Sequence, residues 1–139
     1  MNVFGYCRSS TEYEAKQGNL TAQEQQIITF CNDNNHKLTK VFKDIRSAID
    51  TRPQFDEMIK QLRTNQAEAV VVTKLDRFGR SLIDLVTTIY GLQDNKVQFI
   101  SIKDNIDTTT ANGKLLVHIL SSFAEFEREI IQGANESRA

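Results

Sequence analysis

A chain of 139 residues, 40% hydrophobic and 25% charged, has the size and make-up of one ordinary globular domain. Its formal net charge of −1 argues against nucleic-acid binding over the whole surface but leaves room for a local basic cluster. No apolar run approaches the ~20 residues of a membrane helix. The first residues read as a strand rather than a signal peptide, and Cys7 and Cys31 lack the spacing of a disulfide or zinc framework. A reducing cytoplasm is therefore expected, with both thiols acting as small buried hydrophobes.

Asn2 to Arg8 is a β-branched and aromatic run that stops at Ser9-Ser10-Thr11, as a strand ending in a turn does. Alternation puts Arg8 and Ser10 on one face if the strand persists to Ser10, and Ser9 on the other. Glu12 to Asn19 is polar and reads as a loop. Thr21-Ala22-Gln23-Glu24 reads as a capping box opening a helix with Ile27, Ile28, Phe30 and Cys31 as its apolar stripe; Asn32 to Asn35 ends it.

Leu38 to Phe42 is a short strand, and Asp44 to Arg52 a charged loop. Pro53 suits the first turn of a helix carrying Phe55, Met58, Ile59 and Leu62. Glu68 to Thr73 is an uninterrupted apolar strand of the kind buried in a parallel sheet. Lys74 to Arg80 follows. Ser81 and Asp84 then resemble a second capping box, at the head of a helix buried through Leu82, Leu85, Val86, Ile89 and Leu92.

Val97 to Ile102 is a strand, and Lys103 to Asn112 a polar loop. A long helix runs from about Gly113 to the mid-130s. Its apolar set, from Leu115 to Ile131, is broader than one core-facing stripe requires. Either part of it packs on another chain, or the helix is a central one wrapped on two sides. The alternation βαβαβαβα predicts an α/β fold: a mainly parallel sheet flanked by helices, with the long helix at the C-terminal end. Ligands of such sheets bind outside the carboxyl ends of strands. Arg8–Ser10 and Lys74–Arg80 both lie at such ends.

The chemistry is carried by that convergence. Serines at a strand end are ordinarily turn formers, and an arginine there is ordinarily solvated. Three guanidiniums (Arg8, Arg77 and Arg80) around one hydroxyl are another matter. They would repel one another in a core, whereas they suit a phosphodiester and the added charge of its transition state. A serine hydroxyl needs activation, and neither His36 nor His118 is placed to give it. Asp76 either relays a proton or acts as counter-ion to Arg77 and Arg80.

Six stretches carry a resemblance: Tyr6-Cys7-Arg8-Ser9-Ser10, Leu20-Thr21-Ala22-Gln23, Asp44-Ile45-Arg46-Ser47-Ala48, Arg52-Pro53-Gln54-Phe55, Leu75-Asp76-Arg77-Phe78-Gly79-Arg80 and Phe123-Ala124-Glu125-Phe126-Glu127-Arg128. In this order and spacing the chain resembles the catalytic domain of serine site-specific recombinases of the resolvase/invertase family. The resemblance implies that Ser10 attacks the scissile phosphodiester and becomes joined to a DNA 5′ phosphate. Arg8, Arg77 and Arg80 would bind that phosphate. Gln23, Ser47, Arg52 and Asp76 match further active-site positions.

Arg128 would contact DNA, and Phe123, Phe126 and Glu127 would lie on the long helix that builds the dimer. No metal, ATP or other cofactor is implied. The partners implied are a double-stranded recombination site and a homodimer that assembles into a synaptic tetramer, with no membrane, in the cytoplasm and on the nucleoid when DNA-bound.

Two features depart from the family pattern. Ser9 stands where the family usually has an apolar residue, and alternation favours Ser10 as nucleophile. The chain also lacks the DNA-binding region that family members carry after this domain, so residues 1–139 read as a catalytic and oligomerisation domain that binds DNA weakly alone. Two rivals remain. Asp44, Asp76, Asp104 and Asp107 could serve a magnesium-dependent nuclease or phosphatase, or the chain is an inactive regulatory module.

Overall fold

The computed structural model describes residues 1–45 and 51–138. Its sheet contains β1 (Asn2–Ser9), β2 (Lys37–Ile45), β3 (Ala69–Val72), β4 (Gln98–Ser101) and β5 (Ile106–Asp107), in the order β2-β1-β3-β4-β5. The first four strands pair in parallel and β5 pairs antiparallel to β4. The helices are α1 (Glu12–Lys16), α2 (Asn19–Asp33), α3 (Pro53–Leu62), α4 (Leu82–Asp94) and α5 (Ala111–Arg138), with a short 3-10 turn at Leu75–Arg77.

The expected mainly parallel α/β sheet is present, and strand alternation sorts its two faces. Phe4 and Tyr6 of β1, Val70 and Val72 of β3, and Phe99 of β4 point to one side. They bury Phe55, Met58 and Leu62 of α3, and Leu85, Ile89 and Leu92 of α4. Val3, Cys7, Ala69, Val71 and Ile100 point to the other, against Ile27 and Cys31 of α2. All four residues of β3 are buried, as expected of a strand covered on both faces. Each valine buried this way contributes about 1.5–3 kcal/mol of apolar transfer. Gly5 lets α2 sit close on β1, since a Cβ there would lie 3.2 Å from Ile27.

Several boundaries differ from the sequence reading. Glu12 to Lys16 is a short helix, not a loop. Its start is fixed by Thr11, whose Oγ1 accepts the Glu14 N–H at 3.0 Å, a local bond that hydropathy does not reveal. α2 begins at Asn19 after Gly18, which holds a left-handed φ of 86°. Thr21 therefore lies inside the helix, and Glu24 pairs with Lys43 at 2.7 Å instead of closing a capping box.

β2 runs on to Ile45 and takes in Asp44. The polar segment after β4 contains the two-residue β5, too short to show periodicity. The first strand ends at Ser9, one residue short of Ser10. α4 is capped as expected by Ser81, whose Oγ accepts the Asp84 N–H at 3.1 Å. The Asp84 carboxylate, however, reaches the N–H of Arg80 rather than that of Ser81.

α5 is not wrapped on two sides. Val117 and Ala124 are buried, but Leu115, Leu116, Ile119, Phe123, Phe126, Ile130 and Ile131 are exposed. Gly113 permits the helix to start against β5, because a Cβ there would overlap the Asp107 carbonyl at 1.8 Å. Among the described residues no helix is long and apolar enough to cross a membrane.

Candidate active site

In the order β2-β1-β3, the chain places β2 on one flank of β1 and β3 on the other. The carboxyl ends of β1 and β3 therefore flank the point where strand order reverses, the usual crevice of open α/β sheets. Arg8–Ser10 leaves β1 there. After β3 the chain enters the 3-10 turn, and Asp104 holds the start of that turn by accepting the Leu75 N–H at 2.8 Å.

The two segments touch through the arginines. Arg77 Nη1 donates to Ser10 Oγ at 3.4 Å and to the Arg8 carbonyl at 3.1 Å. The Arg8 Nη2 group donates to the backbone carbonyl of Asp76. The Asp76 carboxylate lies 3.8 Å from Arg77 Nε and is 74% exposed, the position of a solvated counter-ion. Each arginine is thus anchored to the other's segment, and Arg77 reaches the exposed Ser10 hydroxyl.

Ser9 has no such setting. It is fully buried, and its Oγ donates to the Thr11 carbonyl at 3.1 Å. The Ser10 N–H donates to Glu14 Oε2 at 2.9 Å. Buried Gln23 braces the strand end: its Oε1 accepts the Arg8 N–H at 3.1 Å, and its Nε2 donates to the Arg8 carbonyl at 2.8 Å and to Asn19 Oδ1 at 2.6 Å. β1 pairs with β3 only as far as Gly5, and Gln23 takes up the Arg8 N–H and carbonyl beyond that point.

A second layer lies behind. Arg52 is buried just before α3, with its guanidinium carbon 3.8 Å from the centre of the Phe55 ring. It donates to the Phe78 carbonyl and lies 3.6 Å from the Asp84 carboxylate. Arg80 lies beyond the 3-10 turn, so it does not share a helical face with Arg77. It is exposed and borders a cavity of about 310 Å³ lined by Leu75, Asp76, Gly79, Ser81, Leu82 and Leu85.

Ser47 lies outside the described residues. Phe123, Phe126, Glu127 and Arg128 are exposed along α5.

Three side chains support the site without having been given a role in it by the sequence: Glu14, Asp84, which the sequence placed only in the capping box of α4, and Asp44. Asp44, which heads one of the stretches carrying the resemblance and was otherwise weighed as a metal ligand, is buried. Its Oδ2 accepts from Tyr6 OH at 2.9 Å and from the Phe55 N–H at 2.8 Å, and its Oδ1 from the Gln54 N–H at 3.0 Å. It caps α3 and so fixes the segment bearing Arg52. The signal was present: an acid some ten residues before a proline-led helix, next to a strand whose tyrosine needs a buried partner.

Burial, with Asp44 beside it, pushes the Tyr6 hydroxyl well above its ordinary range, so Tyr6 is a donor and not a base. Burial likewise pushes the Cys7 thiol up to about 12 and raises that of Cys31, which leaves both as packing groups. Asp104 and Asp107 bond to Ser101 and Thr109. Among the described residues no group of three or more His, Cys, Asp or Glu could hold a metal ion, so the four carboxylates considered for magnesium do not converge.

The model of the resolvase N-terminal domain matches residues 3–137. The chain belongs to the resolvase N-terminal domain family. It is 36% identical over 130 residues to the Tn917 transposon resolvase of Enterococcus faecalis, a match that covers 93% of this chain and 64% of that protein. The chain thus spans under two thirds of that relative's length.

Among solved structures, a resolvase family site-specific recombinase from Streptococcus pneumoniae superposes with a TM-score of 0.87 and 30% identity, covering 99% of this chain and 94% of that one. The N-terminal catalytic domain of TP901-1 integrase gives 0.80 and 30%, covering 94% and 98%. The resolvase-domain fold therefore accounts for the arrangement of sheet, crevice and long helix.

Proposed function

We propose that the chain is the catalytic domain of a serine site-specific recombinase, cutting and rejoining DNA through a covalent serine intermediate. The observation that carries this reading is the exposed Ser10 hydroxyl held by Arg77, with Arg8 anchored across the same crevice. Ser10 Oγ attacks the phosphorus of a phosphodiester. The Oγ–P bond forms as the P–O3′ bond breaks; the serine proton leaves to solvent or a nearby base, and the 3′ oxygen takes up a proton from solvent and departs as a hydroxyl. DNA is left joined to Ser10 through its 5′ phosphate.

Guanidinium charge beside Oγ favours the ionised serine and stabilises the charge that develops on the phosphoryl oxygens. One phosphate ester is exchanged for another, so the reverse attack by a 3′ hydroxyl reseals DNA with no input from ATP. Arginines supply the electrostatic stabilisation, so the proposed step needs no metal. The Asp76 carboxylate acts as counter-ion to Arg77, and Gln23 and Arg52 hold the segments that present Arg8 and Arg80. Ser47 belongs to the same proposed site.

The exposed apolar row of α5 supports pairing with a second copy, and two such dimers would bring two double-stranded sites together as a tetramer. Arg128, farther along the helix, would meet DNA. A cytoplasmic enzyme working on the nucleoid is consistent with the two unpaired thiols.

The test is a cleavage assay on a duplex captured from a random-sequence DNA library by covalent attachment to the protein. Ser10→Ala should lower strand cleavage by on the order of 10³-fold or more. Ser9→Ala, which loses only an interior hydrogen bond, should retain it. The reverse pattern, or cleavage that EDTA abolishes, contradicts the proposal.

A further inference from the structure

Helix-capping carboxylates reach back to Ser10 and to Arg80. At the head of α1, Thr11 Oγ1 accepts the Glu14 N–H at 3.0 Å, and the Glu14 carboxylate accepts the N–H of Ser10 at 2.9 Å. At the head of α4, Ser81 Oγ accepts the Asp84 N–H at 3.1 Å, and the Asp84 carboxylate accepts the N–H of Arg80 at 2.9 Å. In an ordinary capping box the acid returns to the N–H of the capping residue itself. Here each acid reaches one residue farther back, onto a residue of the proposed site. Asp84 does more than its counterpart. The same Oδ2 that accepts from Arg80 lies 3.6 Å from Arg52 Nη2.

We propose that Asp84 is a positioning residue for phosphodiester cleavage, tying the buried Arg52 guanidinium to the backbone of Arg80 so that the Arg77–Arg80 segment stays set against Ser10. This rests on the reading of the chain as a serine recombinase. Arg52 needs such a partner. A guanidinium 5% exposed is costly to keep unless its charge is met. The Phe78 carbonyl and the face of the Phe55 ring meet part of it, and Asp84 supplies the negative charge.

Both contacts converge on the segment between Arg77 and Asp84. Phe78 is fully buried there, and Gly79 leaves no room for a side chain. The pin therefore acts on a segment already packed at one point, and fixes its far end.

The sign of the effect separates positioning from bulk charge. Removing a carboxylate beside two arginines strengthens their pull on a phosphate. A purely electrostatic Asp84 would therefore slow the enzyme, and its loss would speed cleavage and tighten DNA binding. A positioning Asp84 gives the opposite result in the chemical step. Asp84→Asn keeps an oxygen for the Arg80 N–H but lacks the charge that holds Arg52.

The experiment measures single-turnover cleavage of the library-captured duplex at saturating DNA, with binding measured separately. Asp84→Asn should cut on the order of tenfold to a hundredfold more slowly, the loss expected of about 1 Å of misplacement. Its DNA affinity should be unchanged or higher, and Asp84→Glu should recover part of the rate. Ile89→Val, a core deletion in the same helix, is the stability control and should cleave at the parent rate.

Asp84→Asn cutting at the parent rate or faster overturns the proposal, as does an equal loss in Ile89→Val. Should the unaltered chain form no DNA adduct, the recombinase reading fails on its own. The placement is then decided by hydrogen exchange. Faster exchange at the Arg80 amide and the Arg52 guanidinium in Asp84→Ala upholds it, and unchanged exchange at both refutes it.

Discussion

Ser9 and Ser10 are chemically identical neighbours, and one peptide of chain direction gives them opposite environments. The strand buries Ser9 completely and spends its hydroxyl on the Thr11 carbonyl, while Ser10, the first residue past the strand, is exposed and faces Arg77. Period-2 alternation was enough to read this from sequence, even though the strand stops one residue sooner than that reading allowed.

Gly79 makes a sharper demand at the same scale. A Cβ on it would lie 2.6 Å from the Leu85 Cβ and 2.8 Å from the Leu85 Cα, and the helix backbone cannot swing aside as a side chain could. Gly79→Ala should therefore displace the segment between Arg77 and Arg80. We expect a loss of about 1–3 kcal/mol in urea unfolding, in line with other overpacked sites. Cleavage should fall further than that loss of folded protein explains.

At the scale of elements, the legible parts were those with strong periodicity or sharp punctuation. Pro53 opens α3 and Ser81 caps α4 as expected. The all-apolar β3 is buried throughout. The missed elements are α1 and β5, of five and two residues. One rests on a threonine cap and the other on pairing with β4, and neither cause leaves a hydropathy trace. Asp44 was missed for a related reason. Its partners, Tyr6 and the first N–H groups of α3, lie on different elements and meet only once the sheet has formed.

α5 shows what periodicity can leave open. The excess of apolar residues was visible, but only the structure shows that Phe123 and Phe126 stay 59% exposed. If a second copy covers them, Phe126→Glu should yield a folded monomer, because the side chain supports no internal core. Sedimentation should then report self-association in the parent chain and its loss in the variant, with unfolding shifted by less than about 0.5 kcal/mol, as for other surface changes. A monomeric parent, or a variant that fails to fold, would contradict that role for α5.

For the whole molecule, the strand order does what no single motif could. It sets β1 between β2 and β3, so residues nearly seventy positions apart meet at one reversal point: Arg8 bonds to Asp76, and Arg77 to Ser10. A net charge of −1 accompanies this local gathering of arginines. On the proposed reading, the domain holds a phosphate at one place rather than coating DNA. The solved resolvase-family recombinase and the TP901-1 integrase domain share that architecture, and the relative from E. faecalis is a longer protein.

The most direct test is to incubate the chain with duplex DNA, quench with denaturant, digest, and identify the peptide that carries nucleotide by mass spectrometry. The account predicts one modified residue, Ser10, linked to a 5′ phosphate and formed equally well in EDTA. Nucleotide on Ser9 or any other side chain, or DNA cut without any protein attached, would contradict it.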